Sequence, residues 1–273
     1  MDFQQFITTV GAADTAGNSG SLPPTPESVV RSANFGTVDP TGASGLFLET
    51  AASAFFTFAG SWTLTMFVKP NFLETAEIAV NPRGVISKGN ADAAVTFVLG
   101  VYVQRTGVDL GRARVFFSDG VSTISVASTA NGSIANNTWH FIEASYNAGT
   151  DVLSINVDRG TPATTGTVAS NLLGISDKTV VGGTFGTGIN DFSGSISMVG
   201  IVEAVLTTEQ LDELYNDGLG ILFADIEAPG NLTYYQLDEL STGAGSVPRE
   251  DAATLADDLL DPDNIPSSTA VPS

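Results

Sequence analysis

The chain has 273 residues, of which 42% are hydrophobic and only 15% are charged, and it contains no cysteine. The lack of cysteine excludes disulfides and thiolate metal sites, and the formal net charge of −20 argues against nucleic acid and anionic membranes as partners. The 29 glycines and 16 phenylalanines favour short strands joined by tight turns, so the composition predicts an all-β fold.

Residues 1–34 are predicted to form an N-terminal arm or linker. Positions 11–28 are small, polar and proline-rich, which is typical of an extended segment, and a disordered tail is the alternative. Asp2 lies where a signal peptide needs positive charge, and no apolar run approaches the ~18 residues of a membrane span. We therefore expect a soluble protein without an export signal.

Residues 35–226 are predicted to form one two-sheet antiparallel jelly-roll sandwich, because apolar residues recur at every second position from about residue 46 to 205. Turn sequences such as SDG, NAGT and DRG separate the short apolar runs. The run SWTLTMFVKP has two faces, with Trp62, Leu64, Met66 and Val68 on one and Thr63, Thr65 and Phe67 on the other.

One short helix is predicted in LTTEQLDELYNDG, near the end of the sandwich. Thr207 and Gln210 fit a capping box at its start, and Gly218 suits the left-handed position that follows a helix. We expect its apolar face to lie across the sandwich as a lid. That face consists of Leu211, Leu214 and Tyr215.

Three stretches follow one another in the order of a known family: GSWTLTMFVKP with GVISKG, then NNTWHFIEASYNAGTDVLSINVDRG, then FSGSISMVGIVEAVLTTEQLDELYNDG. Over roughly residues 45–220, the chain resembles the laminin-G-like, pentraxin-like domains of the concanavalin A-like lectin/glucanase superfamily. This resemblance implies a concanavalin A-like sandwich. The middle motif closes on Asp158, Arg159 and Gly160, where the family usually has Asp-Gly.

The residues of these motifs are expected to act mainly in structure. Trp139 begins a strand where its ring can cap the open end of the sandwich, and the strand ends near Tyr146. His140 is the only histidine, so no second one completes a zinc site, and a structural role is expected for it. Phe192 leads into the strand before the helix, and Gly194 is expected to allow close approach of a neighbouring backbone.

Residues 227–273 form an acidic C-terminal segment. From residue 203 onward, fifteen acidic residues stand against one base, Arg249, which gives a net charge of −14. The stretch YYQLDELSTG, which contains Tyr235, Leu237 and Asp238, is similar to the first strand of laminin-G-like modules. Because it follows the closing helix, it is expected to supply a permuted first strand in cis or a strand donated to a neighbouring subunit. An acidic tail with an accidental match is the third alternative.

No pattern in the sequence indicates an enzyme. Glycoside hydrolases need two carboxylates facing a sugar groove, roughly 5–10 Å apart, and no predicted strand carries the alternating acids that would supply them. Phosphate-loop, G-x-S-x-G and Cys-His patterns are also missing from the sequence. The protein is therefore expected to be non-enzymatic.

Calcium is the ion that the family resemblance implies, bound at a rim of the sandwich by Asp and Asn oxygens. The candidate ligands are Asp92, Asp119, Asn190 and Asp191. Each of them also forms turns by its own chemistry, so a turn without a metal is the alternative.

The expected function is that of a virion structural protein, such as a capsid decoration or a head or tail fibre component of a tailed bacteriophage. Laminin-G-like domains similar to this one occur in such particles, whose proteins are made in the host cytoplasm without a signal peptide. The protein would then lie on the virion surface, associate with itself and with other capsid or tail proteins, and contact surface glycans. The alternative is a carbohydrate-binding adhesin or lectin, with calcium as its candidate cofactor.

Overall fold

The computed structural model describes residues 32–34, 48–50, 60–71, 83–88, 99–104, 111–118, 124–165, 179–183, 192–218, 232–235, 259–260 and 267–268. The strands in these ranges form two antiparallel sheets, and one short helix follows the twelfth strand. The predicted fold class, an all-β two-sheet sandwich with one short helix, is therefore confirmed.

The strands follow the short apolar runs of the sequence. The first eight are β1 (Ser32–Asn34), β2 (Leu48–Thr50), β3 (Trp62–Pro70), β4 (Arg83–Lys88), β5 (Leu99–Gln104), β6 (Arg112–Ser118), β7 (Ile124–Ser128) and β8 (His140–Asn147). The others are β9 (Val152–Val157), β10 (Ala163–Thr165), β11 (Thr179–Val181), β12 (Gly194–Val202), β13 (Leu232–Tyr235), β14 (Leu259–Leu260) and β15 (Ser267–Ser268).

The two sheets each contain strands from distant parts of the chain. Sheet A has the strand order β10-β9-β8-β3-β12-β1-β15, with β13 also paired to β12. Sheet B has the order β14-β2-β11-β4-β5-β6-β7. At one side of the sandwich β10 and β7 approach each other, and at the other side the edge strands β14 and β15 come from the C-terminal segment.

The core lies between the inner faces of the two sheets. Trp62, Leu64, Met66 and Val68 of β3 belong to it, as the alternation in the sequence predicted. Sheet B contributes Val101 of β5 among others. Trp62 has no exposed surface, and truncating a buried tryptophan to alanine typically costs about 3–5 kcal/mol. The alternating apolar residues therefore fix which face of each strand turns inward.

Strand β13 comes from the C-terminal segment and pairs with β12 of the same chain. Tyr235 lies opposite Val199, and Leu232 lies opposite Val202, in antiparallel register. Strand β1 pairs with the other end of the same edge, where Ala33 lies opposite Ile196. One edge of β12 is therefore shared by strands from the two terminal segments. Leu237 and Asp238 lie outside the described residues.

Strand β12 contains two special backbone positions. Gly194 has a φ of 129°, and an added Cβ there would overlap the carbonyl oxygen of Lys69, so the strand approaches β3 as closely as only glycine allows. Met198 has a φ of 51° within a register shift between Ser197 and Gly200, which is a β-bulge. The bulge sends Met198 to the outer face of sheet A and returns Val199 to the core.

The helix, α1 (Thr208–Tyr215), has the predicted start. Thr207 is the N-cap, and the reciprocal capping box between Thr207 and Gln210 is present. The prediction for its end was wrong, since the left-handed residues are Asn216 and Asp217 rather than Gly218. Asn and Asp tolerate this conformation better than most side chains do, so the helix ends at Tyr215, three residues before the glycine.

Candidate functional site

The outer face of sheet A, which turns away from the core, carries polar side chains on three neighbouring strands. Thr65 of β3 lies opposite Glu143 of β8, which lies opposite Asn156 of β9. Residues opposite each other in register project to the same face, so these three side chains form one row. The adjacent row contains Thr63, Ser145 and Ser154.

Helix α1 covers the neighbouring part of this face. Leu211 and Leu214 are buried in an outer apolar cluster with Phe67 and Phe141. The rings of Phe67 and Phe141 have centroids 5.0 Å apart, and Tyr215 packs 5.7 Å from Phe141. The helix therefore lies across sheet A as the apolar face predicted, with the polar rows at its side.

Arg159 joins the helix to sheet A. It follows β9 in a turn where Asp158 and Arg159 both have positive φ, 52° and 54°. Its Nε donates to Asp212 Oδ1 of the helix at 2.7 Å, its Nη1 donates to Glu143 Oε2, and its Nη2 donates to the carbonyl of Thr208 at 3.4 Å. A left-handed conformation costs an L-residue about 1–2 kcal/mol, and these three contacts oppose that cost.

Glu143 and Arg159 shift each other's pKa. Burial raises the pKa of Glu143, and the positive charge and hydrogen bond of Arg159 offset part of that rise. Burial alone would lower the pKa of Arg159, but the hydrogen bond to Asp212 and the charge of Glu143 outweigh it and raise that pKa. The ion pair is only partly exposed, at 14% for Arg159 and 9% for Glu143. Arg159 therefore favours the charged form of Glu143 against the cost of burial.

An open groove of about 430 Å³ lies between the polar rows and the helix. We call it the outer groove. Its floor contains Thr63, Glu143, Ser145 and Asn156 of the sheet. Its walls are formed by Arg159 and Pro162 on one side and by Val205, Leu206 and Leu211 on the other. The groove thus combines hydroxyl, amide and carboxylate groups with an apolar wall.

Asn156 has an unsatisfied amide oxygen. The residue is 3% exposed, and its Nδ2 donates to the carbonyl of Gly160 at 3.1 Å, which fixes the orientation of the amide. Its Oδ1 accepts no hydrogen bond within the protein. Asn156 also lines a second cavity of about 470 Å³ on the other side of the Gly160 turn, with Thr129 and Ser133. A buried acceptor without a donor costs about 1–3 kcal/mol unless something outside the protein satisfies it.

His140 is engaged at both ring nitrogens. The backbone N–H of Ala135 donates to His140 Nε2 at 2.8 Å, so Nδ1 carries the proton and donates to Asp158 Oδ2 at 2.6 Å. Asp158 Oδ1 accepts from the N–H of Phe141 at 2.8 Å. These bonds join the loop before β8 to the turn after β9, which is the turn that positions Arg159.

Other motif residues lie away from the outer groove. Trp139, which directly precedes β8, packs against the outer apolar cluster, and its expected role as a cap of the open end stays a prediction. Phe192 is fully buried in the core. Tyr146 is also in the core, and burial and a 2.8 Å hydrogen bond to Asp151 raise its pKa to about 12.

The candidate calcium ligands are not among the residues that the structure describes. They are Asp92, Asp119, Asn190 and Asp191. Within the described ranges, no three His, Asp or Glu side chains come together as metal ligands. Calcium at these four positions stays a prediction. No helix in the described part of the chain is long and apolar enough to cross a membrane.

The residues of the outer groove were not predicted as a site. Two signals for it are nevertheless present in the sequence. Glu143 and Ser145 alternate with apolar residues in HFIEASYN, as Ser154 and Asn156 do in VLSINV, so both runs carry polar groups on the outer face. Arg159 has a positive φ at a turn position where glycine would be expected, so its side chain is a candidate for a specific contact.

Comparison with known proteins gives a family and a fold. A family model described as the concanavalin A-like lectin/glucanases superfamily matches residues 42–212. A search of curated proteins finds no significant match.

Among solved structures, a Bacteroides ovatus protein to which carbohydrate binding is attributed is similar at 17% identity and a TM-score of 0.55, over 88% of this chain and 59% of that one. This chain thus spans about three fifths of the length of that protein. A heptameric SAP-like pentraxin from Limulus polyphemus matches at 17% identity and a TM-score of 0.44, over 77% and 97% of the two chains. The CBM40 domain of a Ruminococcus gnavus sialidase matches at 13% identity and a TM-score of 0.45, over 58% and 84%.

Proposed function

Because the chain belongs to the concanavalin A-like lectin/glucanase superfamily, we propose that it is a non-enzymatic carbohydrate-binding protein whose outer groove holds the sugar. The single observation that carries this proposal is the polar floor of the outer groove, where Glu143, Ser145 and Asn156 stand side by side on two adjacent strands. The attribution of carbohydrate binding to the Bacteroides ovatus protein supports the same class of ligand.

The chemistry of the groove suits a sugar. Each sugar hydroxyl can donate to a carboxylate or amide oxygen and accept from a hydroxyl group. The C–H faces of a sugar ring need apolar contact, which Val205 and Leu206 offer on the wall. A volume of about 430 Å³ is at the lower end of the range of about 300–1,000 Å³ for small-ligand sites. One or two sugar units would therefore fill the groove.

The proposal includes that the protein binds a glycan without hydrolysing it. Hydrolysis of a glycosidic bond needs two carboxyl groups across the sugar, one of them acting as an acid. Glu143 is the one carboxyl among the described residues that line the outer groove, and it is paired with Arg159. Asp212 also bonds to Arg159 and is 59% exposed on the helix. The groove thus lacks the second carboxylate that a hydrolase uses.

The experiment measures binding and turnover together on the full chain. A panel of oligosaccharides and polysaccharides is titrated by calorimetry with and without a chelator, and the mixtures are assayed for released reducing ends. We expect saturable binding of a glycan that survives chelation, with no release of product. Failure to bind any glycan, or release of product, would overturn the proposal. Loss of binding in chelator would place the site at a calcium rim instead of the outer groove.

A second candidate is a structural role on the surface of a virion, in contact with other capsid or tail proteins and with further copies of this chain. The favouring observation is that strands from the terminal segments complete both sheets: β1 and β15 in sheet A, and β14 in sheet B. Such end strands are the elements that subunits exchange when they assemble. Sedimentation of the protein alone and with preassembled capsids or tails tests this candidate. A monomer that cosediments with no particle would contradict it.

A further inference from the structure

The outer groove has one base and no free positive charge among its described lining residues. The base is Arg159, and each of its three side-chain nitrogens donates within the protein, to Asp212, Glu143 and the carbonyl of Thr208. The two carboxylates against one guanidinium leave this cluster with a net charge of −1. A carboxylate or phosphate on a ligand would therefore meet a net negative charge, because the one cation is already paired with two carboxylates.

The helix beside the groove adds to this negative charge. Its first turn carries Glu209, whose pKa is lowered by hydrogen bonds to its own backbone and to Thr207, and it is fully exposed at the helix start. No base lies in the last turn of the helix. The charged groups around the outer groove are thus mainly acidic, and salt will screen only those that face solvent.

The floor of the groove needs hydrogen-bond donors. Asn156 Oδ1 has no donor within the protein but less than 1 Å² of accessible surface, and its Nδ2 donates to the carbonyl of Gly160. Gly160 passes close to that oxygen: an added Cβ would stand 3.6 Å from it. Glu143 is a second acceptor, and Ser145 can donate or accept. A ligand hydroxyl group can donate to Glu143 or Ser145, whereas an ionised carboxylate can only accept.

From these charges and acceptors we infer that the outer groove selects uncharged, hydroxyl-bearing sugar units and rejects acidic ones. This inference rests on the proposed carbohydrate binding and specifies its ligand class. The selectivity has two sources, the net negative charge around Arg159 and the acceptors on the groove floor. Both act in one part of the groove, since the acceptor Glu143 is paired with Arg159.

The test uses sugar pairs that differ in one group. The pairs are glucose with glucuronic acid and galactose with galacturonic acid, together with their short β-linked oligomers. In each pair the neutral sugar has a hydroxymethyl group where the uronic acid has a carboxylate. Affinities are measured by ligand-observed NMR on the full chain. We expect each neutral sugar that binds to bind at least about tenfold more tightly than its uronic acid, which corresponds to about 1.4 kcal/mol.

Two variants on adjacent strands locate the binding. Ser145→Val places a branched apolar side chain in the floor of the groove and removes its hydroxyl group. Ser154→Val makes the same change directly across the strand pair, at a serine that does not line the groove. We expect Ser145→Val to weaken neutral-sugar binding at least about fivefold, which corresponds to about 1 kcal/mol, and Ser154→Val to change it less than twofold.

A third variant tests the charge argument. Asp212→Asn removes one negative charge beside Arg159 and leaves an amide oxygen that can accept from Nε, at a residue that is 59% exposed and outside the groove lining. We expect it to strengthen uronic-acid binding while leaving neutral-sugar binding within about twofold. The ratio of the two affinities is the readout, and a merely structural role of Asp212 would not move it.

The outcomes separate this inference from the function on which it rests. If no sugar of any kind binds, the proposed function is overturned and the inference with it. If sugars bind but uronic acids bind as tightly as their neutral partners, only the selectivity is overturned. If Ser145→Val and Ser154→Val lose the same amount, or neither loses any, binding occurs elsewhere and the assignment to the outer groove is wrong.

Discussion

Replacing Arg159 with methionine tests how strongly the turn after β9 holds the helix on sheet A. The change keeps an unbranched stem and removes the charge that faces Glu143, which is 9% exposed. Breaking a buried ion pair by removing one partner typically costs about 3–5 kcal/mol. Because Arg159 is itself 14% exposed and Asp212 can turn to solvent, we expect a loss of about 3 kcal/mol at neutral pH. For a chain of this size that loss lowers the melting temperature by about 6–12 °C.

The loss should depend on pH in a known direction. Burial already raises the pKa of Glu143 above its ordinary value of 4.5, and removing Arg159 removes both of the interactions that lower it. A carboxyl with a raised pKa in the folded state costs stability above that pKa, where it is charged, and costs nothing below the unfolded value, where both states are protonated. The deficit of the variant relative to the native chain should therefore shrink as the pH falls through the raised pKa toward 4.5.

Urea unfolding followed by tryptophan fluorescence measures this difference. Arg112→Met is the matched control, since Arg112 Nε donates to the neutral side chain of Asn131 at an exposed site, and it should lose clearly less than Arg159→Met. Adding Glu143→Gln to Arg159→Met should recover part of the loss, because no buried carboxylate is then left unpaired. A loss at Arg159 that equals the Arg112 control, or one that is the same at neutral and acid pH, would refute the reasoning.

Three further predictions follow from single positions. Gly194→Ala should lower the free energy of unfolding in urea by at least about 1–3 kcal/mol, which is the cost of the positive φ by itself. The overlap of the new Cβ with the carbonyl oxygen of Lys69 adds to this cost, and an unchanged urea midpoint would contradict the close approach. Thr207→Ala should cost about 1 kcal/mol through the lost N-cap, and Thr208→Ala serves as the control that keeps the capping box. In an absorbance titration one tyrosine should ionise only near pH 12, since burial and Asp151 favour its neutral form, and Tyr146→Phe should remove that step.

The fold could be predicted because its signals are local and repeat along the chain. The alternation in β3 identified both faces of a central strand, and the inner residues Trp62, Leu64 and Met66 do lie in the core. The capping box at Thr207 was equally local. The end of the helix could not be predicted in this way, because Asn216 and Asp217 take the left-handed conformation that the sequence pattern assigned to Gly218.

The outer groove could not be predicted in the same way. Its polar row depends on register, since Thr65, Glu143 and Asn156 come from strands that are separated by up to 91 positions along the chain and meet only through pairing. Sequence alone gives the face of each side chain but not its cross-strand neighbour. Arg159 reaches Asp212 across 53 positions, a contact that the unusual residue in the turn suggests but does not specify.

The most direct measurement of the central claim is amide chemical-shift mapping of the full chain during titration with a neutral oligosaccharide that it binds. We expect the largest amide chemical-shift changes at Ser145, Asn156, Gly160 and Val205, around the outer groove. Shifts that instead cluster on sheet B, for example along Arg112–Ser118 of β6, would contradict the claim that the sugar binds in the outer groove.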